Sequence, residues 1–140
     1  MQNRFTLSRH VVESESHFDL FLEHAPEEKL WTWKIREIEP VEEVLSGQSK
    51  SFQVSALRIF DHRNIYLDYQ GELSLKRGSV QKNTTGTWNL IAKTEESLTI
   101  RLISPLLSGK MDLVFPQKSN TSLFMPLPGE NPWMIWFSTT

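Results

Sequence analysis

The chain has 140 residues, no cysteine and a formal net charge of −2. This composition excludes disulfides, thiolate metal sites and cysteine nucleophiles, and it does not indicate a broad polyanion-binding surface. With 39% hydrophobic residues it is typical of a globular protein. We expect one domain over residues 1–140. Because there is no long apolar run and no signal-like N-terminus, we also expect a cytoplasmic protein that does not enter a membrane.

Hydrophobic and polar side chains alternate along most of the chain, which predicts β-strands. The first strands are expected at 4–9 and at 17–23, and a bulge is expected near Ala56 and Leu57. Further alternating runs lie at 30–35, 52–60, 87–91, 98–102, 111–115 and 133–137. Turns are predicted at Gly71, 76–78, 83–86, 108–109 and 126–129.

Helix is indicated only over residues 40–47, with Pro40 near its start and Gly47 at its end. Seven or eight strands with so little helix favour a mainly β protein, folded as a compact antiparallel β barrel. A β sandwich is the alternative. All five tryptophans lie in strand-like runs and are expected in the core.

His17 and Asp19 lie two positions apart on the hydrophilic face of the second predicted strand. Residues i and i+2 of a strand project from the same face, so both side chains can reach one metal ion. A hairpin to the preceding strand would bring His10 near them as a third ligand. Histidine and carboxylate ligands suit zinc, manganese or iron. The alternative is a solvated strand face that carries histidines by chance.

A further histidine and a tyrosine, His62 and Tyr66, lie four positions apart in the stretch 61–71. His62 offers a cation or a hydrogen-bond donor to a phosphate, and Tyr66 offers a hydroxyl donor. Both are otherwise ordinary strand or loop residues. Combined with the possible metal ligands His17 and Asp19, they indicate a small metal-assisted phosphate site.

The ordered set of motifs resembles the 3′-phosphoesterase domain of bacterial DNA ligase D and its stand-alone relatives. The specificity comes from the order, which is kept over nearly the whole chain. The matching stretches are Arg4-Phe5 to His10, 17–23, 30–33, 61–71, 77–80, 85–88, 107–113 and Pro132-Trp133.

The resemblance implies a metal triad of His10, His17 and Asp19, with His62 and Tyr66 as the catalytic, phosphate-contacting pair. It implies a β barrel and a hydrolase of DNA repair, which removes 3′-phosphates and 3′-terminal ribonucleotides. The implied cofactor is a divalent metal, manganese first and zinc as the alternative. The implied partners are nucleic-acid 3′ ends and a DNA ligase, and we expect a monomer.

Departures from the family pattern bear on the substrate. Phe21 stands where the family has a phosphate-binding arginine, and Gln70 stands where it has a glutamate. One extra residue separates the two histidine ligands. Arg77 is the expected substrate-binding replacement for the missing cation, with Arg63 and Lys76 as alternatives.

Two other functions stay open at the level of sequence. The chain could be a catalytically impaired module that binds nucleic-acid ends or a repair partner. It could also be a phosphoesterase that acts on a different phosphorylated substrate.

Overall fold

A computed structural model describes residues 3–25, 28–115 and 132–140. The described part is mainly β, as predicted. Its strands are β1 (Asn3–Val12), β2 (Glu15–Leu22), β3 (Leu30–Ile35), β4 (Ser51–His62), β5 (Gly71–Glu72), β6 (Ser79–Lys93), β7 (Ser97–Ile103), β8 (Ser108–Val114) and β9 (Pro132–Thr139). Between them lie the helix α1 (Ile38–Leu45) and a 3-10 turn (Asn64–Leu67). The turn predicted at 126–129 lies outside the described residues.

The strands belong to one antiparallel sheet, in the order β1-β2-β3-β4-β9-β8-β7-β6-β5. β1 also pairs with β6, so that, among the described strands, eight form a closed ring and β5 is attached to β6. The 15 residues of β6 make this closure, because residues 79–88 pair with β1 and residues 87–93 pair with β7. Closure gives β1 a partner on each side, which satisfies its backbone hydrogen bonds.

The hydrophobic core lies inside the ring. Alternate residues of the strands point inwards, and Phe18, Leu20 and Leu22 of β2 are completely buried, as their spacing predicts. The same core contains Phe5, Leu7, Trp33, Ile35, Phe52, Val54, Trp88, Leu98, Ile100, Leu102, Met111, Leu113, Ile135 and Phe137. Each large apolar side chain contributes roughly 1.5–3 kcal/mol on burial, so the inward faces are the main source of stability.

The predicted helix is present, although it begins at Ile38, two residues earlier than the sequence pattern suggests. Ser46 caps its end, and Gly47 follows with φ +83°, which is the usual role of glycine after a helix. Val41 and Val44 bring α1 into the core. Within the described ranges, no helix has the length and apolar character needed to cross a membrane.

The turn predicted at 83–86 is wrong, because these residues lie inside β6. Gly86 serves close packing instead: a Cβ there would lie 1.9 Å from the carbonyl oxygen of Ile103 on β7. The register against β1 shifts beside this stretch, so that Asn83 is left without a partner residue on β1.

The expectation that all tryptophans are core residues is wrong for Trp136. Ile135 and Phe137 point inwards from β9, so Trp136 points outwards and is 40% exposed. Trp33 and Trp88 are buried as expected.

Candidate functional site

The outward face of the β1–β2 hairpin carries the three predicted metal ligands. Only Glu13 and Ser14 connect the two strands, and so short a connection sets their register. In that register His10 lies directly opposite His17. Asp19 lies two residues further along β2 and therefore points from the same face. His10, His17 and Asp19 are called the triad below.

The two imidazoles and the carboxylate of the triad meet at one place. Nε2 of His17 lies 3.1 Å from Oδ1 of Asp19, and Nδ1 of His10 lies 4.0 Å from Oδ2 of the same carboxylate. One ligand atom from each residue lies within 4.8 Å of the others. Two atoms bound to one ion at about 2.0–2.2 Å are roughly 3–4 Å apart. The triad therefore needs only small side-chain movements to share a cation.

Asp19 is a charged residue with too few partners. Its side chain is 6% exposed. Its Oδ1 has no hydrogen-bond partner among the described residues, because the close contact with His17 lacks hydrogen-bond geometry. Ser8 lies opposite Asp19 on β1, and its buried hydroxyl also has no partner among the described residues. An unpaired buried polar atom costs about 1–3 kcal/mol, and more if it is charged. A cation bound by the triad would offset that cost, so the residues present fit a metal.

The imidazole of His10 is held in one tautomer. Its Nε2 lies 2.6 Å from the carbonyl oxygen of Arg77. A carbonyl only accepts hydrogen bonds, so Nε2 carries the hydrogen. In the neutral ring the lone pair is then on Nδ1, which is the nitrogen that faces Asp19. Metal-binding histidines are usually oriented by such a bond on the other ring nitrogen.

The Arg77 carbonyl belongs to a turn at residues 74–78 that packs against β1. Gly78 has φ +89°, and a Cβ there would lie 2.0 Å from the carbonyl oxygen of Val11. The Arg77 guanidinium bonds back to Ser74 within the turn, with Nε 3.0 Å from the carbonyl oxygen and Nη2 3.0 Å from the hydroxyl. Arg77 thus reaches the triad through its backbone, which the sequence did not predict.

His62 ends β4, and Tyr66 lies in the 3-10 turn that follows. Nδ1 of His62 donates to the carbonyl oxygen of Phe60 at 3.0 Å, which leaves Nε2 as the lone-pair nitrogen of the neutral ring. The His62 and Tyr66 ring centroids are 5.6 Å apart. Both rings contact Phe21, with centroid distances of 5.4 and 6.2 Å.

A bulge directs the end of β4. The sequence predicted a bulge near Ala56 and Leu57, but β4 pairs regularly with β9 through Leu57. The irregularity comes later, where Phe60 and Asp61 lie opposite the single residue Trp31 of β3. An extra residue bends a strand and re-aims its side chains. Here it determines the direction of the last β4 residues.

The segment 62–69 lies over the hairpin and is fastened to β1. The hydroxyl of Thr6 donates to the carbonyl oxygen of Leu67 at 2.7 Å. Arg4 makes two hydrogen bonds to the Asp68 carboxylate, at 3.1 and 2.7 Å. The hydrogen bond from Arg4 and the charges of Arg4 and Lys82 hold the pKa of Asp68 below its usual value. These contacts fix His62 and Tyr66 relative to the triad.

All six predicted site residues line one cleft of about 510 Å³. The triad contributes to it together with His62, Tyr66 and Arg77. Lys34 and Lys29 also line the cleft, although neither was predicted from the sequence. Lys34 is half-buried and pairs in register with Asp19. The inward positions of its neighbours Trp33 and Ile35 were the signal that Lys34 points outwards.

Phe21 points outwards from β2 but is shielded from solvent. It is 1% exposed because Leu30, Leu67 and Tyr66 pack around it beneath the segment 62–69. Arg63 lines the cleft with its guanidinium carbon 5.9 Å from the Tyr66 ring centroid. Position 21 therefore carries a buried aromatic group, and the cations of the cleft come from other positions.

In comparisons with known proteins, no family model and no curated protein matches this chain. The resemblance to the ligase D phosphoesterase therefore stays a prediction from the order of the motifs.

Proposed function

We propose that the protein is a metal-dependent phosphoesterase that processes nucleic-acid 3′ ends, removing a 3′-phosphate or a 3′-terminal ribonucleotide. One observation carries the proposal. Two imidazoles and a buried carboxylate with an unpaired oxygen converge in the cleft that also contains a third imidazole, a phenol and several cations. The motif order supports the choice of nucleic acid as the substrate.

His10, His17 and Asp19 would hold the divalent metal, for which manganese is our first expectation and zinc the alternative. When bound, such an ion polarises a phosphate and lowers the pKa of a coordinated water. The Arg77 carbonyl keeps the His10 lone pair directed at the site. Asp19 supplies negative charge from a buried position, where its electrostatic effect is little screened by water.

The other residues of the cleft bind and neutralise the phosphate. Protonated His62 donates from Nε2 to a phosphoryl oxygen or to the leaving oxygen, because its Nδ1 is already bonded to Phe60. The Tyr66 hydroxyl is a further donor. Lys34 and Arg77 supply positive charge, and charge-assisted hydrogen bonds to phosphate are among the strongest in proteins.

The remaining expectations belong to the same proposal. The ring of strands would be the compact barrel of that family, formed as a single domain over residues 1–140. The protein would act as a cytoplasmic monomer, and a DNA ligase would seal the 3′-hydroxyl that it produces.

The test combines metal binding with turnover. Purified protein should bind one Mn²⁺ and release phosphate from DNA with a 3′-phosphate, but not from DNA with a 5′-phosphate. Replacing a residue that only orients a metal ligand lowers metal affinity or activity about 10–100-fold. His17→Ala removes a ligand itself and should reduce both properties by about 100-fold or more. The matched control is His24→Ala, because His24 does not line the cleft and stacks on Trp31. Unchanged metal binding and turnover in His17→Ala would refute the proposal.

A second candidate is favoured by the burial of Phe21. If the cations of the cleft do not replace the family arginine, the protein would bind 3′-phosphate ends without hydrolysing them. Tight, end-specific binding with no phosphate release, in a protein that still binds Mn²⁺, would identify this binding module. Turnover of small phosphoesters in preference to DNA ends would instead identify an enzyme for another substrate.

A further inference from the structure

An exposed aromatic ring stands at the rim of the cleft. Phe60 is 78% exposed, although it lines the same cleft as the triad. Single exposed hydrophobic residues are common on protein surfaces, so exposure alone carries no argument. The surroundings of this ring set it apart.

Phe60 is stacked on a residue of the site. Its ring is nearly parallel to that of His62, with an angle of 9° and a centroid distance of 4.7 Å. The Phe60 carbonyl also accepts the hydrogen bond from Nδ1 of His62. The imidazole covers one face of the Phe60 ring, and the high exposure of the residue means that its other face is open to solvent.

The ligand that fits this arrangement carries both a phosphate and a planar ring. Lys34 and His62 offer charge and hydrogen bonds to the phosphate, whereas the open face of Phe60 offers only a flat apolar surface. Nucleic-acid bases stack on such surfaces with little dependence on sequence. Among phosphorylated compounds, a nucleotide meets both demands.

We propose that Phe60 is the stacking platform for the base of the 3′-terminal nucleotide, an inference that rests on the proposed function. The phosphate would lie in the cleft beside His62 while the base covers the exposed face of Phe60. The platform would make the site prefer an end that carries a base over an abasic end, without selecting a particular base.

The test uses a single-stranded oligonucleotide with 2-aminopurine in its 3′-terminal nucleotide and a 3′-phosphate, with EDTA present so that turnover does not consume it. Stacking should quench the 2-aminopurine fluorescence when the wild-type protein binds. Phe60→Ala and Phe60→Leu should lose the quenching and bind about 5- to 150-fold more weakly. Phe60→Tyr, which keeps the ring, should behave like the wild type.

Two controls isolate the platform. An oligonucleotide with an abasic 3′-terminal sugar phosphate should bind the wild type and Phe60→Leu equally. Trp136→Ala removes another exposed ring, on β9 outside the cleft lining, and should change nothing. Quenching and affinity that survive in Phe60→Leu, or equal wild-type affinity for abasic and base-carrying ends, would overturn the platform.

The result is separable from that of the proposed function. If 3′-phosphates are hydrolysed but Phe60→Leu shows no loss of preference for base-carrying ends, the proposed function is supported and the stacking role of Phe60 is refuted. If no 3′-phosphate is hydrolysed but quenching depends on Phe60, the stacking role of Phe60 is supported and the phosphoesterase activity is refuted.

Discussion

Asp19 is both a residue of strand β2 and a proposed metal ligand, so it links the fold to the proposed chemistry. The period of two places Asp19 and His17 on one face of β2, and a short hairpin brings His10 opposite them. This much follows from the sequence. The burial of Asp19 does not, because one of its neighbours, Lys34, lies on β3, and alternation does not give the partner of a strand.

Replacing Asp19 by Asn keeps the volume of the side chain and removes its charge. Without metal, we expect Asp19→Asn to be as stable as the wild type or up to about 1 kcal/mol more stable, since the unpaired oxygen is no longer charged. Mn²⁺ at 100 times its Kd should raise the free energy of unfolding of the wild type by about 2.7 kcal/mol, and that of the variant by much less. Urea unfolding with and without Mn²⁺ measures both effects. Equal stabilisation of the two proteins by Mn²⁺ would contradict the role of Asp19.

At the scale of elements, the turn at 74–78 is the least expected contributor to the site. From the sequence, Arg77 offers a guanidinium for phosphate. In the structure its carbonyl also orients His10, because the turn packs against β1 at a point where only glycine fits. A contact between backbone and side chain has no signature in residue type, so the pattern could not reveal it.

Gly78→Ala tests this turn. A Cβ at Gly78 would meet the Val11 carbonyl, so the turn must shift and the bond from His10 to Arg77 should be lost. We expect Mn²⁺ affinity to fall about 10–100-fold, and the ¹⁵N spectrum of His10 should lose the Nε2–H tautomer. Gly47→Ala is the control, because Gly47 also has positive φ but no atom lies within 4 Å of the added Cβ. Equal Mn²⁺ affinity in the two variants would show that the turn does not orient His10.

The Arg4–Asp68 pair ties segment 62–69 to β1 and makes its attachment depend on pH. The pKa of Asp68 is lowered in the folded protein, so the unfolded chain binds protons more readily in acid. The stabilisation is complete above the unfolded pKa of about 4 and is lost as pH falls through the lowered folded value. Since the Asp68 side chain is 60% exposed, we expect less than about 1 kcal/mol.

Comparing Asp68→Asn with the wild type measures that contribution. The difference in free energy of unfolding should be largest near pH 6 and should shrink towards pH 3. A difference that is constant over this range, or that grows in acid, would show that the ion pair does not hold the segment.

At the scale of the whole molecule, the sheet closes through β1, the strand that also supplies His10. Alternation predicted most strands, but it gives the face of a residue and not the partner of its strand. The pattern predicted a turn at 83–86 for the same reason, since Gly86 is needed where the backbone of β7 comes close. It did not indicate Lys34, because Trp33 and Ile35 of the same strand are core residues. Local patterns therefore recovered the strands and the triad, while pairing determined the cleft.

A metal site shared by the triad is tested most directly by Mn²⁺ titration followed by NMR of the histidine side chains. We expect one Mn²⁺ to bind and to broaden the signals of His10 and His17 together, while His24 is much less affected. This broadening should be lost in Asp19→Asn. Broadening of only one of the two imidazoles, or broadening that persists unchanged in Asp19→Asn, would contradict a metal site shared by the triad.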